Sequence, residues 1–119
     1  MAWQVKVTEE YATWFTTLIK EDLASATQVA QAVAALREEG PSLGRPLVDR
    51  IKGSKIHNLK ELRPGSAARS EIRIIFAFDP TRSALLLLGG DKAGNWQRWY
   101  RDNIPIAEGL YQDYTTEEE

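Results

Sequence analysis

The sequence contains no cysteine and a single histidine, His57. Without cysteine there is no disulfide, no thiolate-bound metal and no cysteine nucleophile, which is compatible with a reducing compartment. One histidine rules out a two-histidine acid–base pair, and without thiolates it leaves a zinc site almost no ligands. Long apolar runs are also missing. The longest are five residues, Ala84 to Leu88 among them, and fall far short of the roughly 20 residues that a membrane-spanning helix needs. The N-terminus has no charged leader ahead of an apolar core. The expectation is therefore a cytoplasmic protein with no membrane partner. No Walker loop, no Gly-x-Gly-x-x-Gly after a strand and no His-Glu-x-x-His occurs, so the common nucleotide-binding and zinc-protease machinery is absent. No metal or other cofactor is expected.

What is present is a chain of one domain's length, 119 residues with 43% hydrophobic and 27% charged side chains, in the range of ordinary globular proteins. One domain over 1–119 is the reading, closed by an acidic tail at about 108–119. The net charge of −2 hides a blocky distribution. Residues 1–43 carry three basic and six acidic side chains. Residues 44–73 carry eight basic ones (Arg45, Arg50, Lys52, Lys55, Lys60, Arg63, Arg69 and Arg73) against three acidic. From 108 onward there are five acids and no base. A cationic centre between acidic ends suits an anionic partner. The tail reads chiefly as a solubilising segment, with Glu117 to Glu119 fraying.

Hydrophobic periodicity gives the elements. Trp3, Val5 and Val7 alternate with polar residues and predict a short strand. Thr8 suits an N-cap, and Glu9 and Glu10 favour the first turn of a helix. Tyr11, Trp14, Phe15, Leu18 and Ile19 then form an apolar stripe. A second helix over about 22–39 is stopped by Gly40-Pro41, and residues 40–54 read as a loop. Strands are expected over about 55–62, 70–78 and 83–89, with turns at Pro64-Gly65-Ser66 and Asp79-Pro80-Thr81-Arg82. Trp96, Trp99 and Tyr100 are helix-spaced up to Pro105, and a last short helix carries Ile106, Leu110 and Tyr114. The order β-α-α-β-β-β-α predicts an α+β domain: a twisted, mostly antiparallel sheet with helices packed on one face.

In the strand expected over 70–78, alternation places Ile72, Ile74, Phe76 and Phe78 under the helices and Arg73, Ile75 and Ala77 on the other face. An arginine there needs an anion or a carboxylate, Glu61 being the nearest structural candidate. Lys60 and Arg63 on the neighbouring strand differ in parity and cannot share a regular face. Gly89-Gly90-Asp91-Lys92 bares backbone where a phosphate can approach. Trp96, Trp99 and Tyr100 suit a core better than a base-stacking platform.

Gly44-Arg45-Pro46-Leu47-Val48-Asp49, Asn58-Leu59-Lys60-Glu61-Leu62-Arg63, Ile72-Arg73-Ile74, Phe76-Ala77-Phe78-Asp79-Pro80 and Gly89-Gly90-Asp91-Lys92-x-Gly-Asn-Trp, in that order, resemble the HigB branch of the RelE toxin superfamily, its phage-derived Gp-type group. The resemblance covers about residues 3–112. It implies a RelE-like fold with a cationic concave cleft, cleavage of messenger RNA on the ribosome, and neutralisation by a HigA-like helix-turn-helix antitoxin. By motif position it assigns Arg63, Arg73 and Lys92 to the catalytic site. Lys60, Lys55 and Arg45 are the RNA-binding candidates. The implied reaction is metal-independent transesterification by the ribose 2′-OH, with the arginines stabilising charge and Lys92 moving a proton. His57 does not match the C-terminal histidine of certain HigB proteins. The competing reading is a non-catalytic RNA- or protein-binding module that keeps the fold; a phage structural part is a third.

Overall fold

The computed structural model describes residues 2–65 and 70–118. Ser66 of the expected Pro64-Gly65-Ser66 turn, Arg69 of the basic segment and Glu119 lie outside them. The described chain runs β1 (Gln4–Val7), α1 (Glu9–Glu21), α2 (Leu23–Glu39), a 3-10 turn (Gly40–Ser42), β2 (Val48–Arg50), β3 (Leu59–Leu62), β4 (Ile72–Phe78), β5 (Ser83–Asp91) and α3 (Trp96–Glu118). The strands form one sheet in the order β1-β5-β4-β3-β2. β1 pairs parallel with β5, and the remaining pairs are antiparallel. The α+β class and the mostly antiparallel sheet are as the sequence led one to expect.

The first helices follow from their caps. The Thr8 hydroxyl accepts the Tyr11 amide at 3.0 Å and donates to the Leu87 carbonyl at 2.5 Å, so one side chain both starts α1 and pins it to β5. Asp22 caps α2 by accepting from the Ser25 amide at 3.1 Å. α1 and α2 then cover one sheet face, where Tyr11, Val29, Ala32 and Leu36 meet Ile72, Ile74, Phe76 and Leu86. The alternation read for β4 holds.

Four expectations need correction. The helices do not all share one face: α3 packs on the opposite face, where Ile104 and Ala107 meet Leu59, Ile75, Ala77, Leu85 and Leu87. The physical reason lies in β5, whose residues 83–88 are all buried, and a strand apolar on both sides needs cover on both. Second, α3 runs unbroken through Pro105. Tyr100, Ile104, Ala107, Leu110, Tyr111 and Tyr114 fall on one stripe against the sheet, and this packing outweighs the roughly 3 kcal/mol that an interior proline costs. Pro105 itself is exposed, on the helix side away from the sheet. Third, β3 begins at Leu59, not near 55. The backbone before it is held by α3 instead: Glu108 Oε2 accepts from the Lys55 amide at 2.6 Å and the Ser54 hydroxyl at 2.8 Å. Glu108 thus belongs to the packed helix and is not part of a loose tail. Fourth, part of the expected 40–54 loop forms β2, with Val48 buried against the α1–α2 core.

The Asp79 turn closes the β4–β5 hairpin. Its carboxylate accepts from the Thr81 amide at 2.9 Å and the Ser83 amide at 3.0 Å, while its other oxygen accepts from Tyr114 of α3 at 3.1 Å. Lys6 of β1 stands 3.9 Å from that oxygen. Burial opposes the charged carboxylate, but these hydrogen bonds prevail and hold its pKa below the usual range. A lowered carboxylate pKa contributes stability that is present above the unfolded value near 4 and lost as pH falls through the folded one. Asp79→Ala is expected to cost about 1–3 kcal/mol in urea unfolding at pH 7. Asp79→Asn is expected to flatten the acid limb of the stability curve below about pH 4, by up to roughly 1.4 kcal/mol per pH unit. An unchanged acid limb would refute this role for Asp79.

Candidate functional site

Strand parity brings one group of polar residues to the α3 face at one end of the sheet. Asp49 stands opposite Glu61, Glu61 opposite Ile75, and Arg73 opposite Gly90. Since paired residues share a face, Asp49, Glu61 and Arg73 all point toward α3, whose first turns bring Trp96, Trp99 and Tyr100.

Glu61 is the centre of the group. It is 3% exposed, and a carboxylate at that depth needs partners for both oxygens. Arg63 closes on Oε1 with Nε at 2.9 Å and Nη2 at 2.8 Å. The Tyr100 hydroxyl donates to Oε2 at 2.6 Å. Arg63 Nη2 also reaches Asp49 Oδ2 at 3.2 Å, and Arg45 Nε reaches Asp49 Oδ1 at 3.3 Å. The result is a chain of alternating charge, Arg45–Asp49–Arg63–Glu61, ending on a phenol. Burial works against the Arg63 guanidinium, yet Glu61 and Asp49 more than compensate and raise its pKa. Burial, then the hydrogen bond to Glu61, pushes the Tyr100 phenol well above its ordinary value, while the neighbouring Arg73 pulls the other way. Tyr100 therefore stays protonated and acts as a donor.

Arg73 sits beside the Tyr100 hydroxyl. Its Nη1 donates to the Ile72 carbonyl at 2.8 Å. Its Nε is buried and has no hydrogen-bond partner among the described residues. Lys92 follows β5 and lies across the same ring, with Nζ 5.6 Å from the Tyr100 centroid. Arg63, Arg73 and Lys92 are thus brought together around one tyrosine. Next to them a cleft of about 290 Å³ opens between β2, β3 and α3, lined by Lys52, Arg63, Trp96 and Tyr100 among others; Arg50 borders it, but its pairing with Lys60 turns its side chain to the other face.

The other candidates lie apart. Lys60 pairs with Phe76 and so shares the face covered by α1 and α2. Lys55 is exposed in the loop before β3, where only its amide is engaged. Arg45 is exposed but joins the group through Asp49. His57 is exposed in that same loop. Glu61, named from the sequence only as a partner for Arg73, turns to Arg63 and Tyr100 instead. The glycine pair also has a different use. A Cβ on Gly89 would lie 2.5 Å from the Trp14 ring of α1, and one on Gly90 would lie 2.6 Å from Trp99 Nε1 of α3. These two glycines admit an indole on each face of β5. Among the described residues no group of three or more His, Asp or Glu side chains is placed to hold a metal ion.

Residues 15–112 match the family model described as phage-derived protein Gp49-like. The chain belongs to the Gp49-like family. The Gp49-like chain is 53% identical over 105 residues to "Putative toxin HigB3" of Mycobacterium tuberculosis, covering 88% of this chain and 87% of that protein. It is 45% identical over 114 residues to "Putative toxin HigB2" of the same organism. There it covers 96% of this chain but spans only 55% of the relative. These matches bear out the resemblance to the HigB branch. Two solved structures share the fold. A YoeB dimer from Staphylococcus aureus superposes with a TM-score of 0.59 at 9% identity, over 74% of this chain and 94% of that one. An arginine-to-alanine double variant of the E. coli toxin RelE in the free state gives 0.58 at 12% identity, over 85% and 93%. None of the helices in the described residues of the Gp49-like chain is long and apolar enough to cross a membrane.

The Tyr100–Glu61 contact sets up a quantitative test. In a double-mutant cycle of Tyr100→Phe and Glu61→Gln, the unfolding free energies are expected to be non-additive by about 1–3 kcal/mol. Additive losses would show that the two side chains do not act as one unit.

Proposed function

We propose that this chain is the toxin of a type II toxin–antitoxin pair and acts in the cytoplasm as a metal-independent endoribonuclease on messenger RNA, on the ribosome. The ribose 2′-OH attacks the adjacent phosphorus, the 5′-oxygen leaves with a proton, and the products are a 2′,3′-cyclic phosphate and a 5′-OH. The observation that carries the reading is the convergence of Arg63, Arg73 and Lys92 on Tyr100 beside an open cleft, in a family whose relatives carry toxin names.

Charge accumulates on the phosphorane oxygens, and fixed cations lower that barrier most when their own position costs nothing to hold. Arg63 is held by two carboxylates and contributes a permanently charged, partly exposed fork. Arg73 lies deeper, with its Nε enclosed, and contributes a fixed positive charge beside Tyr100. Lys92, among these cations, carries a proton to or from the reacting oxygens; a positioned group of this kind is worth roughly 10²–10⁴-fold. Tyr100, kept protonated, orients the cations and takes no proton. A helix-turn-helix antitoxin encoded beside the toxin completes the system, and Arg45, Lys55 and Lys60 add general attraction for the RNA backbone.

Expression of the chain alone is expected to arrest growth and to generate new message fragments bearing 5′-OH ends, with Arg73→Ala or Lys92→Ala lowering fragment yield at least tenfold. Co-expression of the adjacent helix-turn-helix gene restores growth. Arrest without any new 5′-OH end would assign the chain to a non-catalytic binding module, and normal growth with abundant soluble protein would overturn the toxin reading.

A further inference from the structure

Four tryptophans occur in the chain, and three are matched to a partner in the fold. Trp3 stacks edge-on to Phe78 with 5.0 Å between ring centroids. Trp14 fills the space that Gly89 leaves, and Trp99 the space that Gly90 leaves. Trp96 is the exception, 55% exposed at the first residue of α3. Its position is nonetheless fixed. Asn95 accepts from the Arg98 amide at 3.2 Å and its carbonyl from the Trp99 amide at 3.1 Å, so the first turn of the helix is closed around it. Its ring meets Tyr100 edge-on at 6.4 Å and forms a wall of the 290 Å³ cleft.

We infer that Trp96 is a stacking platform for one unpaired nucleobase of the bound RNA, with the exposed Lys52 across the cleft holding the phosphate on its flank. The inference rests on the ribonucleic-acid reading of the adjacent cationic group and deepens it. A large exposed indole is costly to leave in water, and its face suits a base because every base presents a π-surface. The charge balance of the cleft favours a nucleic acid over a protein segment. Its two carboxylates, Asp49 and Glu61, are already taken up by Arg45, Arg63 and Tyr100, whereas Lys52 is exposed. The volume lies at the lower end for small-molecule pockets, about 300 Å³, which suits one nucleotide and not a partner helix. Arg63 at the base of the same cleft places the stacked base next to the proposed site of cleavage, so the platform would set which base is preferred there.

The test compares two labelled single strands of equal length: an RNA octamer with 2′-O-methyl groups throughout, which cannot be cleaved, and an abasic phosphodiester. The wild-type chain is expected to bind the base-bearing strand roughly five- to a hundredfold tighter. Trp96→Ala removes that difference, and Trp96→Phe, which keeps a stacking face, retains most of it. Lys52→Ala weakens both strands alike and reduces the salt dependence of binding by about one counterion. Equal binding of the two strands by the wild-type chain overturns the inference, as does an undiminished preference in Trp96→Ala. A variant that keeps the preference but no longer co-purifies with the antitoxin assigns Trp96 to a protein contact, which also overturns it. The two readings fail separately. Base preference without cleaved messages in cells leaves the platform and removes the ribonuclease, and cleavage by Trp96→Ala with unchanged base preference does the reverse.

Discussion

A carboxylate withdrawn from water must be answered atom by atom, and Glu61 is the residue on which that requirement falls. One oxygen takes the fork of Arg63, two positions further along the chain, and the other takes the phenol of Tyr100, which arrives from α3. Leaving either oxygen unmet would cost several kcal/mol. The position of α3 over the sheet, the direction of Arg63 and the protonation of Tyr100 are therefore one constraint seen from three sides. The same demand explains why a cluster so rich in cations keeps a fixed shape. Like charges at close range repel, and Asp49 and Glu61 interleave with Arg45 and Arg63 so that each cation is separated from the next by an anion.

The sheet supplies the rigid frame for this arrangement because both its faces are dry. Four leucines in succession on β5, Leu85 to Leu88, are all buried, Leu86 under α1–α2 and Leu85, Leu87 and Leu88 under α3, the last two sharing a face because the β4–β5 register shifts between Ile75 and Phe76. The polar group sits where that apolar cover stops, at the edge where β2 and β3 run out and α3 begins. Hydrogen bonds at the far end of the helix, from Tyr114 to Asp79 and from Asn58 to Tyr111, hold α3 along its length. A residue of the helix near the cleft is thus placed by contacts distributed over more than four turns.

Much of the frame was legible in the residues themselves. The Thr8 and Asp22 caps, the stripe on α1 and the alternation on β4 each follow from local chemistry that tertiary contacts do not oppose. The cationic trio was legible only through ordered motifs, because Arg63, Arg73 and Lys92 come from three separate segments whose register no periodicity discloses. Glu61 escaped notice as the centre for a simple reason: in Asn58-Leu59-Lys60-Glu61-Leu62-Arg63 it looks like one charge among several, and burial is a property of the sheet. Its one sequence signal was parity, since Glu61 shares a face with Leu59. The run of Leu85 to Leu88 reads as a buried strand, but the cover on its second side was not foreseen, since Pro105 argued for a break in the helix that provides it. The tandem glycines are the clearest case of a local pattern with two meanings. They suit a phosphate loop equally well, and only the facing indoles of Trp14 and Trp99 decide.

The parallel pairing of β1 with β5 has a bearing on how the protein comes into being. Gln4 to Val7 are made well before their partners, Ser83 to Leu86, so this strand waits unpaired while some seventy-five further residues are made. Closure of so long a loop is slow compared with local structure. The helical hairpin of α1 and α2 can form at once, but it has no sheet to rest on until β4 and β5 emerge. The cationic group is completed later still, since Tyr100 and the rest of α3 follow β5. Synthesis therefore separates the making of the chain from the assembly of its site, and leaves an interval in which the apolar face of the hairpin is open to whatever protein meets it first.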